Sequence, residues 1–106
     1  MLQTGKLQNA TGHLEQALRI KPDYAGAHND LGLALVQLGR PQEAIGHYEQ
    51  AVRLKPDFAE AHYNWGVALE QAGRVQEAIG HYEQSLRIKP DFAKARDALA
   101  RLQASQ

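Results

Sequence analysis

The sequence predicts an all-α protein, a stacked array of antiparallel helix pairs with about six helices in all. One observation is an internal repeat: residues 25–58 and 59–92 agree at 23 of their 34 positions, and repetition at this period is typical of helical arrays. Another is that apolar residues recur at the spacings of a helix throughout, without the alternation typical of strands. An isolated amphipathic helix pair cannot bury its apolar stripe, so the pairs are expected to stack.

The repeat divides the chain into four consecutive parts. Residues 1–24 correspond to the second helix of a unit, residues 25–58 and 59–92 are full units, and residues 93–106 repeat only the first helix of a unit. The connections between the predicted helices are short, which makes consecutive helices antiparallel neighbours. We therefore predict a single array with a half unit at each end.

The first predicted helix covers about residues 7–21 and is the second helix of its unit. Its apolar face consists of Ala10, Leu14, Ala17 and Leu18. We expect this helix to be weaker than its copies, because Asn9, Thr11 and Gly12 are poor formers of helix interiors.

The turns between units are predicted to share one device, a proline that ends one helix and an aspartate that caps the next. Pro22 and Asp23 form the first copy, and Pro56 and Asp57 form the second. The second copy adds Glu60 at the spacing of a capping box, in which a glutamate side chain accepts a hydrogen bond from the cap amide.

The second predicted helix covers about residues 24–38 and carries an interior glycine. Its apolar face comprises Ala27, Leu31, Ala34, Leu35 and Leu38. Gly32 costs about 1 kcal/mol relative to alanine inside a helix. Gly66 recurs at the same place in the next unit, which indicates close approach of a neighbouring helix. Gly39 suits a left-handed C-terminal cap, and Pro41 suits the first position of the following helix.

The remaining four helices follow the same plan and are predicted over about residues 41–54, 59–72, 75–88 and 93–104. Trp65 takes the place of Leu31 on the apolar face of the fourth helix. The apolar row of the last helix consists of Ala95, Leu99 and Leu102.

Composition narrows the classes of function. Twelve basic residues balance twelve acidic ones, which argues against nucleic acid or a membrane as the partner. The absence of cysteine excludes disulfides, thiolate zinc sites and cysteine nucleophiles. No apolar run is long enough to span a bilayer and no signal-peptide pattern opens the chain, so a cytoplasmic location is expected. Catalytic and phosphate-binding motifs are also missing, so we expect no enzyme, no cofactor and no metal site.

These features together resemble the tetratricopeptide repeat family. The first helices match at Leu31-Gly32 and Trp65-Gly66, and the second helices match at Ala44, Tyr48, Ala51, Ala78, Tyr82 and Ser85. The length of the repeat period and the closing prolines match as well. His28, His62 and Arg96 depart from the pattern, since the family often has Trp or Leu at that position. The resemblance implies a right-handed superhelical array (an α-solenoid) that acts as a non-catalytic scaffold and binds a protein or peptide in its concave groove.

The resemblance also implies which residues line the groove. Carried over position by position, the candidates are Asn29, Asp30, Leu33, Gln37, Tyr63, Asn64, Val67, Gln71, Lys94 and Arg101. Asn64 matches the groove asparagine that holds a peptide backbone in similar proteins, since an amide both donates and accepts. Leu33, Tyr63 and Val67 would give the groove an apolar middle suited to an extended segment or a helix.

One subclass of the family is disfavoured. Lys94 matches a cation of the carboxylate clamp that chaperone-binding members use. Asn29, Leu33 and Ala98 stand where the rest of that clamp has a Lys, an Asn and a basic residue. Recognition of a chaperone tail is therefore not expected.

Five histidines are the most reactive side chains that the repeat carries. His13, His47 and His81 recur once in each unit, as do His28 and His62. We interpret His13 and His28, and likewise His47 and His62, as pairs that face each other between units. Two imidazoles are too few for a typical zinc site, so we expect roles in packing or on the surface.

Two alternatives to a groove-binding scaffold stay open. The terminal half units could pack head to tail between chains and form a homo-oligomer. The apolar rows available for such packing are Leu7, Ala10, Leu14 and Leu18 at one end and Ala95, Leu99 and Leu102 at the other. The second alternative is a fragment of the repeat region of a larger enzyme, such as a glycosyltransferase, with catalysis elsewhere in that protein.

Overall fold

Six α-helices follow one another along the chain. The computed structural model describes residues 2–105, with side chains from residue 4 onward; Met1 and Gln106, which the predicted end units include, lie outside the described residues. The helices are α1 (Leu2–Ile20), α2 (Ala25–Gln37), α3 (Pro41–Leu54), α4 (Ala59–Gln71), α5 (Val75–Ile88) and α6 (Ala93–Ala104). No strand occurs within residues 2–105, and the all-α prediction is confirmed.

The helices stack as a solenoid of antiparallel pairs. Helices α2 and α3 form one pair and α4 and α5 form the next, and α4 also packs against α2. One apolar core runs through the array, from Leu31 in the first full unit to Leu102 in the last helix. The array measures 40 × 31 × 20 Å. Within the described residues, no helix combines the length and the apolar character that crossing a membrane requires.

Helix α1 is longer than the sequence predicts. It begins at Leu2 instead of about residue 7 and ends at Ile20. The segment before residue 7 contains no proline, so no residue there is barred from a helix. The Thr11 hydroxyl donates to the Gln8 carbonyl oxygen at 2.7 Å, a local bond that lets threonine sit within a helix.

The predicted aspartate caps and the Glu60 capping box are wrong. The cap residues of α2, α4 and α6 are aromatic, Tyr24, Phe58 and Phe92, and none of these helices has a side-chain cap bond. The Phe58 amide donates to the Lys55 carbonyl oxygen at 3.1 Å. The Lys-Pro-Asp-aromatic sequence is therefore a β-turn with proline in its second position, where the fixed φ of proline favours the turn. The aspartate is one residue too early to cap the helix.

The same turns place a lysine over each aromatic cap residue. The Nζ atom of Lys55 lies 4.8 Å from the centre of the Phe58 ring, and that of Lys89 lies 5.2 Å from the centre of the Phe92 ring. A cation over an aromatic face is attracted to it by about 0.5–1 kcal/mol at exposed sites. The repeated turn sequence is thus explained by proline and by this contact.

The first helices of both full units end at a glycine, as predicted. Gly39 and Gly73 have φ angles of +76° and +80°, in the region that glycine adopts without steric cost. The amides of the next residues, Arg40 and Arg74, donate to the carbonyl oxygens of Leu35 and Leu69, each at 2.8 Å. This bonding pattern is the Schellman motif, which satisfies carbonyl groups at the helix end. Pro41 occupies the start of α3, which confirms its predicted place.

The interior glycines admit a tyrosine ring from the second helix of the same unit. A Cβ atom added to Gly32 would lie 2.6 Å from Cε1 of Tyr48, and one added to Gly66 would lie 2.5 Å from Cε1 of Tyr82. Both tyrosines are fully buried, at 0% exposure. The close approach predicted for the glycine positions is therefore confirmed, and the group that approaches is an aromatic side chain.

The apolar rows of the terminal helices are used largely inside the chain. Ala95 and Leu102 are buried, at 0% and 5% exposure, and Leu14 and Leu18 pack against the common core. These residues are therefore used at least partly within the array, and packing of the terminal helices between chains stays a prediction.

We predict that Gly66→Ala destabilises the fold by about 1–3 kcal/mol, since overpacking a buried contact costs this much. The control is Gly80→Ala, because a Cβ at Gly80 would meet nothing within 4 Å. That change should stabilise α5 by up to about 1 kcal/mol, the difference in helix propensity. Urea unfolding followed by circular dichroism measures both. Equal stability of the two variants would contradict the tight contact between Gly66 and Tyr82.

Candidate functional site

The predicted groove residues lie on the three first helices, α2, α4 and α6. Six of them are exposed: Asp30, Leu33, Gln37, Gln71, Lys94 and Arg101. Three are half-buried: Tyr63, Asn64 and Val67. Asn29 is buried at 6% exposure, so little of its surface is open to a ligand.

Two of the candidates form a pair across neighbouring units. The Asn64 side-chain Nδ2 donates to Asn29 Oδ1 at 3.1 Å. This bond joins α4 to α2 and fixes the orientation of the Asn64 amide. Asn64 makes no other side-chain hydrogen bond within the described part of the chain, so its own oxygen and its second N–H keep their bonding capacity.

Tyr63 packs between residues that the sequence did not associate with the groove. Its ring centre lies 5.6 Å from that of Tyr82 and 5.5 Å from that of Phe92, with tilted planes. Such separations are favourable for aromatic pairs. Phe92 caps the last helix, so Tyr63 connects α4 to both following helices.

Arg101 is paired with a carboxylate. Its guanidinium donates to both oxygens of Glu70, at 2.8 and 3.1 Å, and the Tyr82 hydroxyl donates to the same carboxylate at 2.6 Å. Burial raises the pKa of Glu70, but the hydrogen bonds from Arg101 and Tyr82 outweigh it and hold that pKa below its ordinary value. The charge of Arg101 is thus largely satisfied within the chain. The resemblance placed Arg101 in the groove, and the opposite charge of Glu70 on the neighbouring first helix is the sequence signal for this pair.

The first full unit lacks this polar cluster. Val36 stands at the position of the first unit that Glu70 occupies in the second, and the hydroxyl of Tyr48 is buried without a hydrogen-bond partner among the described residues. Burial, with a smaller effect from the negative charge of Asp30, raises the pKa of Tyr48. At this position the first full unit is therefore apolar, whereas the second carries a carboxylate.

The histidines pair within units, and the predicted pairing between units is wrong. The Nδ1 atoms of His28 and His47 lie 3.1 Å apart, and those of His62 and His81 lie 3.2 Å apart. The second helix of each unit folds back onto its own first helix, so residues 19 positions apart meet. His13, on α1, is exposed.

In the second full unit an indole ring covers the histidine pair. The ring centre of Trp65 lies 3.8 Å from that of His81, with planes inclined at 23°. Burial, with a smaller effect from the neighbouring His62, lowers the pKa of His81 to about 4. Burial also lowers the pKa of His62. Within residues 4–105, no group of three or more His, Cys, Asp or Glu side chains is arranged to hold a metal ion.

The sequence pattern of the tetratricopeptide repeat family matches this chain over residues 2–57 and again over residues 29–91. The chain belongs to the tetratricopeptide repeat family. Arrays of this family are scaffolds for protein–protein interactions. No curated protein sequence matches the chain.

Solved structures of other tetratricopeptide arrays superpose closely on this one. A crystal structure of MamA is 26% identical with a TM-score of 0.89, and the match covers 93% of this chain and 58% of that one. The first array of Spaghetti, bound to an HSP90 peptide, is 21% identical with a TM-score of 0.91, over 95% of this chain and 80% of that one. A Thermobaculum terrenum O-GlcNAc transferase mutant is 29% identical with a TM-score of 0.87. That match covers 95% of this chain and 19% of the transferase.

We predict that this tetratricopeptide array loses stability as the pH falls from 6.5 towards 4. An unfolded chain takes up a proton at His81 near the ordinary pKa of 6.5, whereas the folded chain resists protonation until about pH 4. A pKa unit corresponds to about 1.4 kcal/mol, and because solvent screens this partly exposed ring the loss in free energy of unfolding from His81 is roughly 1–2 kcal/mol. Urea unfolding at several pH values measures it.

The matched variants for this test are His81→Gln and His13→Gln. The first should reduce the pH dependence between 6.5 and 4 without abolishing it, because one titrating group is removed while His62, whose pKa is also lowered, remains. The second lies at the equivalent, exposed position of α1 and should leave the dependence unchanged. If His81→Gln does not reduce the slope of the free energy of unfolding against pH, His81 has the same pKa in the folded and unfolded chain, and the prediction is wrong.

Proposed function

We propose that this tetratricopeptide repeat chain is a non-catalytic scaffold that binds an extended segment of a protein partner along α2, α4 and α6. The observation that carries the proposal is the Asn64 amide, held by Asn29 at 3.1 Å. Asn64 lies on α4 together with the apolar side chain of Val67, and the neighbouring first helix α2 presents Leu33.

The chemistry of this face suits the backbone of an extended peptide. Such a peptide presents N–H and C=O groups in alternation, and the remaining donor and acceptor of Asn64 complement both. Because Asn29 already orients the amide, less side-chain freedom is lost on binding. Leu33 is 40% exposed and offers apolar surface to a side chain of the partner.

The charges of the groove favour an internal segment over a chain terminus. Glu70 neutralises Arg101 through two hydrogen bonds, which leaves Lys94 as an exposed cation of the first turn of α6. A single lysine does not replace the several cations of a carboxylate clamp. The HSP90 peptide is bound by a neighbour that is 21% identical to this chain and shares its fold.

A second proposal is that the chain forms the repeat region of a larger enzyme. It is supported by the 29% identity with the O-GlcNAc transferase mutant across 95% of this chain. The gene sequence on both sides of this segment tests it. A glycosyltransferase domain in the same reading frame would support the proposal, and in-frame stop codons on both sides would contradict it.

The groove proposal predicts that Asn64→Asp weakens peptide binding roughly 5- to 15-fold, since it removes one hydrogen bond of about 1–1.5 kcal/mol. The probes are peptides selected on the wild-type chain from a random display library, and fluorescence anisotropy measures their Kd. Aspartate at this position can still accept from Asn29 after rotation of that amide, so the pair between α2 and α4 is kept.

The control is Gln76→Glu, which makes the same chemical change on the exposed surface of α5. Its Kd values should equal those of the wild type. If the selected peptides bind Asn64→Asp as tightly as they bind the wild type, Asn64 does not contact the peptide and the groove proposal is wrong.

A further inference from the structure

A pocket of about 300 Å³ opens on the side of the array away from the groove. It is lined by Glu15, Leu18, Arg19, His28, Leu31 and His47. Helices α1 and α3, both second helices of their units, flank it, and buried residues of α2 form its floor. A volume of this size is at the lower end of those that hold small ligands, about 300–1,000 Å³.

The second full unit shows what occupies the equivalent place. The pocket residues Glu15, Arg19, His28 and His47 recur one repeat later as Glu49, Arg53, His62 and His81. The one large difference is Trp65 in place of Leu31. Its indole stacks on His81, with ring centres 3.8 Å apart. The first unit has the same imidazole pair but no aromatic side chain of its own at that position to cover it.

Hydrogen bonding fixes the proton positions of the imidazole pair. His28 Nε2 lies 2.9 Å from the carbonyl oxygen of Pro22, which can only accept, so this nitrogen donates. In the neutral ring His28 Nδ1 is then an acceptor and receives the N–H of His47 Nδ1 at 3.1 Å. His47 Nε2 is left without a proton, as an acceptor on a ring that lines the pocket.

We propose that this pocket binds an indole-type ring, which stacks on His47 in the place that Trp65 takes in the next unit. The flat ring covers the imidazole face and the apolar surface of Leu18 and Leu31, which line the pocket. Such a ring belongs either to a free small molecule or to a tryptophan side chain of another protein. The site is separate from the groove and does not depend on groove binding.

The test is a titration of the full chain with indole and, separately, with N-acetyl-tryptophanamide, followed by ¹H–¹⁵N and ¹H–¹³C NMR. The wild type should show saturable shifts at His47 and Leu31, with a Kd on the order of 1 mM for so small a probe. Tighter binding of indole identifies a free ring as the natural ligand, and tighter binding of the tryptophan derivative identifies a side chain. Binding of neither overturns the proposal.

Two reciprocal variants sharpen this test. Leu31→Trp copies the second unit, should fill the pocket with the chain's own indole, and should weaken probe binding at least tenfold while raising the Tm. Trp65→Leu copies the first unit and should create a second site, so that shifts also appear at His81. Asn64→Asp should bind both probes like the wild type, which separates this pocket from the groove.

Both variants give a result that can contradict the proposed indole site. Unchanged probe binding by Leu31→Trp contradicts the proposal, as does a folded Trp65→Leu chain that gains no site. If Trp65→Leu fails to fold, the result for Leu31→Trp alone is sufficient, since it only adds an indole that the next unit already accommodates.

Discussion

The contact on which the array depends is the tyrosine ring that lies on a helical glycine inside each full unit. Tyr48 covers Gly32 and Tyr82 covers Gly66, at distances that a single added methyl group would prevent. A glycine within a helix costs about 1 kcal/mol relative to alanine, and fully burying the aromatic ring outweighs that cost. The two helices of a unit are held at a close separation as a result.

This separation gives the array two different faces. On the groove face the first helices lie side by side, so that Asn64 reaches Asn29 and Arg101 reaches Glu70 across neighbouring units. On the opposite face the second helices leave recesses over the first helices. Trp65 occupies the recess of the second unit, while the recess of the first is open. The same repeat thus builds a surface for an extended segment and a separate pocket.

The features that could be predicted from the sequence are those in which a local backbone conformation favours a single residue type. Gly39 is an example, because its left-handed φ favours glycine and no long-range contact is involved. The predicted cap at Asp23 was wrong because proline and aspartate favour different local structures. The proline favours a β-turn, and that turn places the aspartate one residue before the cap position of the helix. The histidine that pairs with His47 could not be predicted from the repeat. The periodicity does not show whether His47 contacts the first helix of its own unit or that of the next unit. The pairing of Arg101 likewise required a distance across units.

The measurement that tests the central contact most directly is a set of ¹H–¹H NOEs in the labelled full chain. We predict strong NOEs between the ring protons of Tyr48 and the Hα protons of Gly32, and between those of Tyr82 and Gly66. Both glycines should also show upfield-shifted Hα resonances, because the tyrosine rings lie against them. If these NOEs are missing in either unit while the carbon chemical shifts show intact helices, the close packing of the helix pair would be contradicted.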